Sequence, residues 1–426
     1  MTIALLFISF FVLLLIGVPV AFALAIASIL TLLTLDLPIL VFAQQLTAGA
    51  SNGALLAIPL FIFAGELMLR GALSDRLIAL ASALVGHVRG GLAQVSVLSS
   101  LFFGGVSGSA IADVSAVGGA MIPQMVQRGF DRDFAVNVCV TAALVALLVP
   151  PSHNLILYSA AAGGSISIAD LFAAGLLPAL LMTLVLMFTG WLIARKRNYQ
   201  IEVFPGWHVV LVRLLAASPG LLLIAIIFIG IKAGIFTAIE SAAVAVFYAL
   251  GLTALVYRSL DRSAFIEALF GAARVTGSIL FVIAAASVFG WLLAYLEIPA
   301  LAVNALQAVA DKPWSVMILI VALLLVLGTF MDLAPMILIC TPIFLPVARA
   351  YGIDPVHFGV VLILAGGIGL VTPPVGSVLF VGAAIGKIEV SETLKTIWPF
   401  WLAALAVLLV VVFFPALSLA LPALMR

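Results

Sequence analysis

Apolar stretches separated by short polar marks run along the chain, and their order occurs twice. They fall at about 3–16, 18–35, 50–71, 91–126, 133–162 and 170–195, then again at about 213–231, 234–257, 275–297, 313–349, 356–385 and 391–421. In each set the third stretch is followed by an amphipathic arm and the last reads as one long helix. The fourth is too long for a single crossing and breaks midway, at "FFGGVSGSAIAD" and at "LGTFMDLAPM". Such a pattern predicts a re-entrant hairpin that enters and leaves on one side. The fifth is broken by adjacent prolines, in "VPPSHNL" at 149–155 and "VTPPVGS" at 371–377. A proline inside a helix normally costs about 3 kcal/mol, so two such pairs are unlike random wear.

The punctuation coincides when the sequence is shifted by 223 residues, with Pro123 on Pro346, Gly129 on Gly352, Asp131 on Asp354, Pro150-Pro151 on Pro373-Pro374, Gly163 on Gly386 and Leu171 on Leu394. Apolar matches carry no weight in such a chain, but prolines and glycines impose specific backbone events. The halves 1–200 and 213–426, joined by a linker at 201–212, are therefore a structural repeat. Five crossings plus one hairpin per half is an odd number. The second half is then expected upside down relative to the first, the inverted-repeat architecture of secondary transporters. The parity depends on 3–35 being two short crossings rather than one kinked helix.

Composition fixes the class: 66% of the residues are hydrophobic and 8% charged, with mean hydropathy +1.40. An all-α polytopic membrane protein follows, in contact with lipid and without a soluble enzyme domain. The first thirty residues lack the basic region of a signal peptide and are expected to stay as membrane helix. A net charge of +1 gives no footprint for nucleic acid. With "RKRN" at 195–198 placed in the cytoplasm, fourteen Lys and Arg fall inside, Arg274 among them, against four outside. That is the positive-inside bias, and it sends both termini to the periplasm. Cys139 and Cys340 lie in apolar segments and are expected as packed thiols.

The chemistry to be found here lies in bared backbone. Two prolines remove two N–H donors, exposing carbonyls on one side and a half-helix N-terminus on the other. Carbonyls attract a cation, and a helix N-terminus attracts a carboxylate. Ser107, Gly108 and Ser109 at the first tip offer hydroxyls and carbonyls, hard oxygen donors for a cation, or equally a small-residue packing surface. Asp113 suits either capping or cation binding, whereas Asp332 directly follows the second break and reads as a cation ligand. Glu66, Glu240 and Glu297 sit near helix ends or breaks, where they could snorkel. "GVSG" with His153 imitates the serine and base of an intramembrane protease, but the second hairpin keeps the architecture without that serine.

Six motifs in order, "GVPVAFAL", "LLAIPLFIFAGELM", "SGSAIAD", "GIFTAIESAAVA", "MDLAP" and "GLVTPPVG", resemble the large membrane (M, or DctM-like) subunit of tripartite ATP-independent periplasmic (TRAP) transporters from end to end. The resemblance implies an elevator mechanism in the bacterial inner membrane, with transport-domain parts at about 91–165 and 313–388. It implies sodium-coupled uptake of an organic acid such as a dicarboxylate or sialic acid. The acid would be delivered by a periplasmic substrate-binding protein and moved together with a small Q-type membrane subunit. The sodium sites it implies are Ser107, Gly108 and Ser109 with Val149 and Ser152, and Gly328 and Asp332 with Gly366, Thr372 and Val375. His153, Asn154 and Ser377 are the candidates for reading the substrate. This chain departs from the family in having Thr237-Ala238-Ile239-Glu240 where Thr-Pro-Thr-Glu is common, and Ser377 where Asn often stands. A stand-alone carboxylate carrier, a channel and a protease remain the alternatives.

Overall fold

The computed structural model describes residues 2–425 except residues 52, 311, 374 and 375. Val375, expected as a cation ligand, and Pro374 therefore lie outside the described residues. The described chain is helical throughout. Among the described residues five helices are long and apolar enough to cross a membrane, or up to seven if each sharply bent pair is one span. Shorter apolar helices, together with Leu333–Ala350 of the five, build the hairpins and the broken segments.

Segment 3–35 forms two helices, Thr2–Leu15 and Val20–Thr34, which fold back on each other rather than making one kinked rod. The turn needs Gly17, whose φ of +86° suits glycine, and Pro19 opens the second helix. The amphipathic arm after the third stretch, Ala57–Arg70, is Leu73–Val85, and a further separate helix, Leu40–Ala50, precedes that stretch. In the second half the equivalents of Leu40–Ala50 and Ala57–Arg70 fuse into one helix, Arg262–Tyr295. The Thr-Pro-Thr-Glu departure leaves its helix start intact, because Thr237 and Glu240 cap each other reciprocally at the head of Ala238–Gly251.

The first hairpin is Gly91–Ser107, a tip, and a return arm at 110–127 that includes a π-helical turn, Val114–Gly118. Its arms are tied by Ser100 Oγ donating to Asp113 Oδ2 at 2.6 Å and by Ser96 Oγ lying 3.8 Å from Met125 Sδ. Asp113 thus bonds across the hairpin, while the cap of its own helix is Ser109. The second hairpin is Pro313–Gly328 and Leu333–Ala350, its base held by Tyr351 Oη donating to the Ala310 carbonyl at 2.8 Å. The Pro-Pro stretches resolve into Arg132–Ala142 and His153–Ala161, and into Pro355–Leu370 and Ser377–Gly386.

Helices pack in two groups. One comprises Val20–Thr34, Leu40–Ala50, Ala57–Arg70, Trp207–Lys232, Ala238–Gly251 and Arg262–Tyr295. The other comprises the hairpins, the broken helices, Ile168–Lys196, Trp398–Phe413 and Ala416–Leu424. Leu73–Val85 and Ile298–Gln307 pack onto hairpin helices and bridge the groups. Between Lys196 and Trp207 the chain is extended, and its next helix starts at Trp207 rather than near 213, because Gly206 with φ +94° ends the linker and the aromatic Trp207 can begin a helix at an interface. Arg197 and Tyr199 of the linker bind Asp131, each at 2.7 Å, and Glu202 pairs with Arg128. Both cysteines are buried and free.

The second hairpin meets the second broken helix through glycines. A Cβ added at Gly369 would stand 2.5 Å from the Gly328 Cα, and one at Gly328 would stand 3.2 Å from the Gly366 carbonyl oxygen. Backbone cannot retreat as a side-chain end can. Gly369→Val is expected to lower stability by about 1–3 kcal/mol or more from overpacking, read as a reduced melting temperature of the purified protein, with Gly277→Ala, which meets nothing within 4 Å, as the unaffected control.

Candidate functional site

The two tips and the first break converge on one cavity of about 510 Å³, which the end of the helix ahead of the second break also lines. Its wall includes Ser107 and Ser109 of the first tip, His153 and Asn154 of the first break, Asp332 of the second tip and Leu370 beside the second break. The other group of helices supplies the facing wall, with Glu66, Arg274 and Ser278.

At the first tip Ser107 ends its helix, Gly108 turns with φ +58°, and Ser109 starts the return arm with its Oγ accepting from Ala112 N at 3.4 Å. A Cβ on Gly108 would stand 3.1 Å from the Pro151 carbonyl oxygen and 3.2 Å from His153 N, so only glycine both turns here and lets the break approach. Asn154 Nδ2 donates to the buried Gly108 carbonyl at 3.0 Å. The His153 ring meets the Ser107 main chain, and Ser152 Oγ donates to the Leu147 carbonyl at 2.6 Å. No backbone N–H of the described residues reaches the carbonyls of Leu148, Val149, Pro150 or Pro151. The following helix starts at His153 with no side-chain cap. Bare carbonyls and an open helix N-terminus thus stand side by side, as the prolines require.

At the second tip Gly328 ends one arm and Asp332 begins the other. Ser377 Oγ donates to Asp332 Oδ1 at 3.3 Å. Ser377 and Asn154 differ by 223 positions, so each half binds its own tip through the same place after the double proline. Gly366 faces Gly328 through backbone. Thr372 is joined elsewhere: its Oγ1 donates to the Ile368 carbonyl at 2.6 Å and accepts from Trp401 Nε1 at 2.7 Å. One lone pair of that hydroxyl remains for a further partner.

The donors gathered at tips and breaks are hydroxyls, carbonyls, an amide and one carboxylate, which suit a hard cation. Among the described residues no three His, Cys, Asp or Glu side chains converge as they would on a transition metal. Sequence reasoning missed Trp401, which holds the Thr372 hydroxyl, and Arg274, which was counted only as an inside charge. Glu66 does not reach for solvent; it lines the cavity and lies 3.4 Å from Arg70 Nε.

Residues 7–417 match the family model of the tripartite ATP-independent periplasmic transporter, DctM component. The chain belongs to the DctM family. Its relatives include the 2,3-diketo-L-gulonate TRAP transporter large permease YiaN of Escherichia coli, 36% identical over 94% of this chain and 94% of YiaN. The sialic acid TRAP transporter large permease SiaM of Vibrio cholerae is 37% identical over 95% of each chain. In fold, the DctM chain is similar to the crystal structure of the Alcanivorax borkumensis YdaH transporter, with TM-score 0.61 and 15% identity over 89% of this chain and 88% of YdaH. The DctM chain is a multi-pass membrane permease of a tripartite transporter and not an enzyme, so the Ser107–His153 pairing does no proteolysis.

The contact most open to test in this permease is the Asn154 clamp. Asn154→Ala would leave the Gly108 carbonyl buried without its partner, at a cost of about 1–3 kcal/mol. The expected result is faster hydrogen exchange confined to the 104–113 tip, measured by mass spectrometry, with Arg132–Ala142 unchanged.

Proposed function

We propose that this permease carries an organic acid inward by sodium symport, using an elevator motion of the hairpin group against the other helices. The observation that carries the reading is the paired clamp, Asn154 to Gly108 and Ser377 to Asp332, which couples each tip to the broken helix of the same half. In this account sodium is cargo held by Ser107, Gly108 and Ser109 with the bare Val149 carbonyl and Ser152. The second ion is held by Gly328, Asp332, Gly366 and the free lone pair of Thr372, with Val375 from outside the described residues.

Unpaired carbonyls at membrane depth are costly until a partner reaches them. Ion binding at both tips therefore orders the site, and the helix N-terminus at His153, with Asn154 and Ser377, then receives a carboxylate. Neutralising Asp332 and the cargo charge lowers the cost of moving the bundle through hydrocarbon. The transport-domain parts are 91–165 and 313–388, with Ile168–Lys196, Trp398–Phe413 and Ala416–Leu424, which pack on them, moving along; the halves are inverted, and both termini face the periplasm. A periplasmic substrate-binding protein delivers the acid and a small Q-type subunit braces the stationary helices. The carboxylate cargoes named for YiaN and SiaM support an organic acid as the class.

The test is uptake in proteoliposomes holding the permease, its small subunit and its binding protein. Replacing external sodium by potassium is expected to abolish uptake of the matching acid, and Ser107→Ala and Thr372→Ala each to raise the sodium half-saturation about fivefold to tenfold. Uptake unaffected by sodium removal, with both variants normal, would contradict the proposal. Transport by this chain alone would point instead to a stand-alone carrier.

A further inference from the structure

Arg274 stands on Arg262–Tyr295, the long helix of the group that faces the hairpins, and lines the cavity together with Ser278. Glu267, Gly271, Arg274 and Ser278 recur at helical spacing and share one face. On that face the acidic partners are already taken. Glu66 meets Arg70, and Arg70 meets Glu267 at 2.5 Å. Gly271 makes this possible, since a Cβ there would stand 2.9 Å from Glu66 Oε2. Arg274 forms no ion pair with any described residue. A guanidinium with a planar fork of donors therefore faces the same cavity as both tips, and no carboxylate of the described residues occupies it.

The repeat sharpens the point. The position 223 residues before Arg274 is Ser51, in the turn after Leu40–Ala50, so this cation has no counterpart in the other half. Its helix also packs mainly with Val20–Thr34, Leu40–Ala50 and Ala57–Arg70, whereas the tips belong to the other group. Any sliding of one group past the other changes the distance from Arg274 to cargo held at the tips.

We propose that Arg274 is a carboxylate partner for the cargo in only one of the two arrangements, setting affinity on one face of the membrane. This rests on the organic-acid reading above. Arg262 opens this helix at the end nearer Arg274 and Arg258 lies in the turn before it, which marks that face as cytoplasmic. In the arrangement described, the cargo sits between the tips and Arg274, which takes one carboxylate through two parallel hydrogen bonds. Once the hairpin group has moved outward, the arginine stays behind and the acid is held by the tips alone.

The test uses the complete three-component transporter in proteoliposomes, with whichever of succinate, N-acetylneuraminate or D-gluconate the wild type carries. Half-saturation is measured from the inside by counterflow and from the outside with loaded binding protein. Arg274→Gln is expected to raise the internal value on the order of tenfold, with the external value and the sodium half-saturation unchanged, and Arg274→Lys to recover part of the loss. A merely structural role would shift both faces together. Equal shifts on both faces, or none, would overturn the assignment while leaving the organic-acid reading intact. A wild type that moves no organic acid its binding protein loads, with sodium present, would overturn that underlying reading and this one with it.

Discussion

An unpaired backbone carbonyl or amide inside a bilayer finds no water, and this constraint shapes the whole transport site. The double proline at 150–151 and the glycine turn at 108 each break the helical ladder. Either break alone would be a liability. Placed face to face they satisfy one another in part, through Asn154 and the Gly108 carbonyl, and leave the Leu148 to Pro151 carbonyls without a backbone donor among the described residues. The second half solves the same problem with a carboxylate in place of a carbonyl, using Ser377 and Asp332. Tip and break are therefore mutually dependent, and a ligand that joins them acts on both.

The halves share a plan without sharing every contact. Asp354 caps Pro355–Leu370 by accepting from Val356 N at 2.7 Å, whereas its counterpart Asp131 leaves its own helix uncapped and binds Arg197 and Tyr199 of the linker. Val149 stands where the other half has Thr372, whose hydroxyl is held by Trp401. Ser109 stands where the other half has the acid Asp332. The repeat thus supplies matched backbone breaks, and divergence at single positions makes the two sites chemically unequal. Arg274 adds to that inequality from outside the hairpin group.

What was legible in the sequence follows from what punctuates a helix. Prolines, glycines and their spacing gave the repeat, both hairpins, both breaks and the position of Ser107, Gly108, Asn154, Asp332 and Ser377 beside them. Those events are local, so local sequence carries them. The partners were less legible. Asp113 read as a cap or a cation ligand; the cap is Ser109, and the Asp113 Oδ2 accepts from Ser100 across the hairpin, a pairing that only the return of the chain creates. Trp401 reaches Thr372 from 29 residues away, and Arg274 shares a cavity with the tips only because two helix groups pack around it. Positions with a side chain that works at long range leave no periodic mark. The separate helix Leu40–Ala50 was not foreseen either, and its equivalent positions in the second half run unbroken into Arg262–Tyr295.

The claim on which the rest depends is that tips and breaks travel as one body past the other helices. Paired spin labels measure it directly in lipid, with exposed Leu184 on the moving group, exposed Phe380 on the same group and exposed Phe247 on the stationary one. On adding sodium and the carried acid, the Leu184–Phe247 distance distribution should shift by several ångströms while Leu184–Phe380 stays fixed. A fixed Leu184–Phe247 distance in every condition, or a Leu184–Phe380 distance that changes as much, would contradict the account.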